Sequence, residues 1–150
     1  MRIPLSQLEL RTVGELECSQ ELGFVFGVET AGPFFAEQIG RCNVEYVGVL
    51  CLDSAHRVAS YSIAAMGRVN EVDDPVPQIV RAALLSNASY VVVAHNHPSG
   101  ARVITEPDIS LTRRISSATR LFGIKLIDSI IVTPDGSALS IRESMGNRYE

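Results

Sequence analysis

Two histidines, His95 and His97, follow a short apolar run, Tyr90-Val91-Val92-Val93-Ala94, and Asp108 stands eleven residues past the second of them. The run is brief and β-branched, the pattern of a buried strand. Side chains two apart on a strand leave from one face with Cα atoms roughly 6.6 Å apart, so both imidazoles can reach one cation. Pro98-Ser99-Gly100 then breaks the strand. A short loop can fold Asp108 back over the histidines. Two imidazoles and a carboxylate leave a fourth tetrahedral position open, the arrangement of a catalytic zinc and not of a structural one.

The same letters have a plainer reading. Paired histidines at a strand end also occur as packing or surface residues, and Thr105-Glu106-Pro107-Asp108 reads as a capping box that opens a helix. Metal-assisted hydrolysis further needs a base that does not itself ligate the metal. Glu45, at the start of the apolar strand Glu45-Tyr46-Val47-Gly48-Val49-Leu50, is the candidate. On spacing alone, a solvated strand-edge glutamate is the simpler account of it.

The elements that must position these residues follow from periodicity. Thr30-Ala31-Gly32-Pro33 can open a helix running to about Ile39, and strands near 45–53 and 57–65 form a hairpin around Asp53-Ser54-Ala55-His56, with His56 expected in solvent. Val76, Ile79, Val80, Ala83 and Leu84 make the apolar face of a helix that starts after Asp74-Pro75 and feeds the histidine strand. A further helix from Glu106 presents Leu111, Ile115, Ala118 and Phe122 on one face and stops at Gly123, leaving Arg113 and Arg114 to solvent. Strands near 124–132 and 138–141, joined through Pro134-Asp135-Gly136, complete the sheet. Leu8-Glu9-Leu10 and Phe24-Val25-Phe26-Gly27-Val28 read as two short strands ahead of the main domain. The pattern predicts an α/β sandwich with a central mixed sheet flanked by helices.

With 150 residues the chain suits one domain with one proper core. A net charge of −4 provides no basic field, so nucleic-acid binding is disfavoured. Cys18, Cys42 and Cys51 are odd in number and lack C-x-x-C spacing, which argues against a disulfide framework. The N-terminus lacks a signal-peptide core and no apolar run approaches a membrane span, so the expected setting is cytoplasmic, away from membranes.

Glu45-x-x-Gly48, His95-x-His97-Pro98, Thr105 and Asp108 together resemble the JAMM motif of MPN-type metalloproteases. More narrowly, Ala94-His95-Asn96-His97-Pro98-Ser99-Gly100, Leu111-Thr112-Arg113-Arg114 and Gly123-Ile124-Lys125-Leu126-Ile127-Asp128 resemble the RadC-type JAB domain, over about Val28 to Arg142. The resemblance implies a single-domain MPN/JAB-like fold over 29–150, preceded by an extension at 1–28. It implies zinc held by His95, His97 and Asp108, and Glu45 acting on the zinc-bound water. It also implies a Thr105 hydroxyl on the reacting oxygen, where the family has serine. The threonine methyl crowds that role, the loop Ala101-Arg102-Val103-Ile104 lacks the family's acidic and proline residues, and Gln78 stands where a glutamate is common. No room is left for the helix-hairpin-helix module that precedes many such domains.

These readings define a zinc metallopeptidase or isopeptidase acting on an amide bond in a peptide or protein. The alternative is a non-catalytic metal-binding interaction module associated with DNA repair or mobile elements. Inactive MPN-like domains usually lack a ligand or the glutamate, and here all four positions are filled, which favours the enzyme. A zinc deaminase would need H-x-E and P-C-x-x-C, and neither is present.

Overall fold

Strands β1 (Tyr46–Leu52), β3 (Tyr90–Asn96) and β4 (Lys125–Val132) are buried on both faces, which is why they read as unbroken apolar runs. With β2 (Val58–Met66) and β5 (Ala138–Ser140) they form one sheet in the order β2-β1-β3-β4-β5. The β3/β4 pair is parallel and the other pairs are antiparallel, so the sheet is mixed. The computed structural model describes residues 1–67 and 74–146, so positions 68–73 and 147–150 of the expected 29–150 domain lie outside it.

Helix α1 (Val28–Ile39) covers one face, where Phe34, Phe35 and Ile39 pack on Leu50, Leu52, Val92, Ala94, Ile130 and Val132. Helices α2 (Val76–Leu85) and α3 (Glu106–Arg120) cover the other, where Ile79, Ala83 and Ile115 meet Val47, Val49, Val91 and Val93. The result is the expected sandwich, consistent with an MPN/JAB-like fold. The α2/α3 arrangement matters for function because α3 runs its N-terminus up to the end of β3.

Several local expectations are corrected. Residues 1–27 form no helix or strand, so the strands read at 8–10 and 24–28 are absent. Ile3, Leu5 and Leu8 are exposed, and alternation without a neighbouring strand to pair against has nothing to hold it. From this segment Val25 is buried in the core and Leu22 packs against it, partly buried. His56 is not a solvated turn residue. Its ring stacks between Phe26 and Tyr90, at centroid distances of 4.4 and 4.1 Å, and its Nδ1 donates to the Val25 carbonyl at 3.0 Å.

Phe122 lies past the end of α3 and is exposed; Thr112 and Thr119 take the buried positions instead. Gly123 does stop α3 in the left-handed region, with φ 70°. The last strand, expected near 138–141, ends at Ser140, and Ile141 opens a short helix, α4 (Ile141–Met145). Ser140 accepts the Glu143 amide there and caps it.

Candidate metal centre

Alternation along β3 decides where each side chain goes. Val91 and Val93 belong to the α2/α3 face, so His95 leaves toward α3; Val92 and Ala94 belong to the α1 face, so Asn96 leaves toward α1. The His97 amide donates to the Val132 carbonyl, which keeps the chain extended one residue past the strand and returns His97 to the side of His95. Thr105 is the N-cap of α3 and Asp108 its third residue, so the first turn of the helix carries a carboxylate over the two imidazoles.

The three donors converge. His95 Nε2 lies 3.2 Å from His97 Nε2 and 2.8 Å from Asp108 Oδ1, and His97 Nε2 lies 3.6 Å from the same oxygen. Three ligands at the usual ~2.0–2.1 Å from a tetrahedral zinc stand about 3.3 Å apart, so this donor set fits such an ion. Both His95 and Asp108 are buried, 7% and 9% exposed.

Two of the three donors, His97 and Asp108, have a second partner that sets their orientation. His97 Nδ1 is 3.0 Å from the Ala101 carbonyl, which can only accept, so Nδ1 holds the proton and Nε2 presents its lone pair inward. Asp108 Oδ2 accepts the Thr105 amide and the Thr105 hydroxyl, both at 2.7 Å, while Oδ1 faces the histidines. Burial opposes ionisation of Asp108, yet the His95 hydrogen bond, the two Thr105 donors and the His95 charge together hold its carboxyl well below the usual range. An ionised carboxylate beside two imidazoles is what a divalent cation requires.

Glu45 sits one residue before β1, half-buried, and lines the same groove as His95, His97 and Asp108. Asn96, which sequence reasoning passed over, explains how it gets there. Its Oδ1 accepts the Tyr46 amide at 2.6 Å and its Nδ2 donates to the carbonyls of Val44, at 2.9 Å, and Cys42, at 3.2 Å. The residue between the two histidines therefore staples the Glu45 segment to the histidine strand. Gly48 is needed for close packing, since a Cβ there would lie 3.0 Å from Tyr61 Oη and 3.2 Å from Phe35.

The groove has a volume of about 1380 Å³ and is open to solvent. Asp74 and Arg114 form an ion pair among the residues lining it, so Arg114 is not simply a solvated side chain of α3. Arg102 pairs with Asp135 and ties the loop between His97 and Thr105 to the β4–β5 turn. The Thr105 hydroxyl is turned toward Asp108, which is a different partner from the reacting oxygen implied by resemblance.

A mixed α/β sandwich with histidines at a strand end and a carboxylate on the facing helix defines a JAB-type domain. A family model described as the RadC-like JAB domain matches residues 27–146, and the chain belongs to that family. It is 32% identical over 117 residues to a UPF0758 protein of Finegoldia magna, covering 78% of this chain and 52% of that protein. It is 39% identical over 106 residues to one of Acidithiobacillus ferrooxidans (71% and 46% covered) and 35% identical over 114 residues to one of Xylella fastidiosa (76% and 50% covered). The chain thus spans about half the length of these relatives. Among the described residues, no helix is long and apolar enough to cross a membrane.

Proposed function

We propose that this chain is a zinc-dependent hydrolase of a peptide or isopeptide bond, with His95, His97 and Asp108 as ligands and Glu45 as the general base. The observation that carries the reading is the convergence of three donor atoms within 4.8 Å of one another, in a groove that Glu45 also lines. A zinc ion there would supply Lewis acidity, lowering the pKa of a water ligand to about 7 and polarising a substrate carbonyl. Glu45 takes the proton of the attacking water and returns it to the leaving nitrogen. Thr105 works through Asp108, holding the carboxylate so that Oδ1 stays turned to the histidines.

A cytoplasmic setting belongs to the same proposal, supported by three cysteines that are all free. Elemental analysis of protein purified with zinc and without chelators tests the core of the reading, with about one zinc per chain expected. Absence of any transition metal would sink it. Full zinc occupancy with no cleavage across a peptide and isopeptide library would favour the non-catalytic module instead.

A further inference from the structure

A second cavity, about 430 Å³, lies at the other end of α3 and is lined by Ser116, Arg120, Arg142 and the segment 123–126, which includes Gly123 and Lys125. Arg120 is twelve residues along the helix from Asp108, about 18 Å at 1.5 Å per residue, so this cavity is separate from the groove. Three cations from three different elements, α3, β4 and α4, meet around it, and no carboxylate is among the lining residues. That runs against the chain's net charge of −4. Among the described residues, neither Arg120 nor Lys125 takes part in an ion pair. Arg142 is anchored, its Nη1 donating to the Ile127 carbonyl at 3.2 Å and its backbone amide to Asp128 Oδ1 at 3.1 Å.

The C-terminal dipole of α3 accounts for one cation, Arg120, in its last turn. It does not account for the convergence of Lys125 from a strand and Arg142 from another helix. We propose that this cavity binds the phosphate group of a small phosphorylated molecule. Arginine forks pair with phosphate oxygens in two-point fashion, and the volume falls in the ~300–1,000 Å³ range of small-ligand sites. A nucleic-acid backbone is disfavoured because it needs a basic stripe to track along, and an acidic chain with one cationic cavity presents none.

Titration of the zinc-loaded protein with inorganic phosphate, at constant ionic strength and followed by amide NMR shifts, tests the assignment. Saturable shifts are expected at Gly123, Ile124 and Lys125, with affinity falling about tenfold or more in Arg120→Gln/Lys125→Gln, the loss of two charge-assisted contacts. Both side chains are exposed, so folding should hold; if the double variant misfolds, Lys125→Gln alone must still weaken binding several-fold. Shifts that never saturate, that centre on His95 and His97, or that persist unchanged in the variants would overturn the proposal. So would a single-stranded oligonucleotide that binds more tightly with increasing length, which would assign the cavity to nucleic acid.

Discussion

The two ends of α3 gather polar groups in opposite ways. At the N-terminus, two of the three donors are almost fully buried, two of the three have a second hydrogen-bond partner, and the donor atoms stand 2.8 to 3.6 Å apart. At the C-terminus, Arg120 and Lys125 are exposed and share only a cavity. Fixed donors at ligand spacing can hold a specific ion and direct chemistry at one atom, because little reorganisation remains to be done. Exposed cations can attract an anion and release it, with affinity set by charge and salt.

The sharpest way to break that contrast is to remove one buried donor. His97→Ala should lose the metal at the N-terminal end, because two protein ligands do not hold zinc as three do. The phosphate shifts at the C-terminal end should be untouched. Zinc retained at one per chain in this variant, measured by elemental analysis, would remove His97 from the ligand set. Glu45→Gln comes next: zinc content and unfolding midpoint should hold while hydrolysis falls by ~10²–10⁴, the range for loss of a general base. Collapse of zinc occupancy in a folded Glu45→Gln protein would make Glu45 a ligand.

Asn96 tests whether the pre-organised end depends on positioning as well as on ligands. Asn96→Ala orphans the Tyr46 amide and two carbonyls, so stability should fall by about 1–3 kcal/mol. Misplacing Glu45 by an ångström should lower hydrolysis by roughly 10², with zinc still bound. A merely structural Asn96 would show the stability loss in a denaturant melt and unchanged turnover in the folded protein.

Legibility in the sequence followed how local the signal was. His95 and His97 needed only strand parity, and Thr105 to Asp108 needed only one helical turn, so the meeting of the three donors could be read from two short spacings. The central strands and the Gly123 stop were readable for the same reason. How Glu45 is placed was not, because Asn96 bonds residues 50 or more positions away. The cationic cavity was invisible because one of its walls, α4, is a single five-residue helix with too few turns to show a period. Residues 1–27 misled in the other direction, since an alternating pattern predicts a strand only where a partner strand exists. His56 was misplaced because its two stacking partners, Phe26 and Tyr90, are remote in sequence.

Thr105 is where the comparison is most finely poised, for it serves helix and site at once. Its amide and hydroxyl both end on Asp108 Oδ2, so the cap of α3 and the orientation of a ligand are one set of bonds. Thr105→Val keeps the shape and the amide but deletes the hydroxyl. If the hydroxyl orients Asp108, zinc affinity in a chelator competition should weaken by about tenfold, the low end of the effect of losing an outer hydrogen bond to a ligand. Thr105→Ser should restore it. If the hydroxyl instead turns to the reacting oxygen, zinc affinity stays put and kcat drops by ~10²–10³. If it only caps the helix, the variant loses about 1 kcal/mol and neither zinc affinity nor kcat moves. Because Oδ1 and Oδ2 belong to one carboxylate, leaving Oδ2 with the amide as its one Thr105 donor loosens the hold that keeps Oδ1 on His95, and the first outcome is the one this geometry favours.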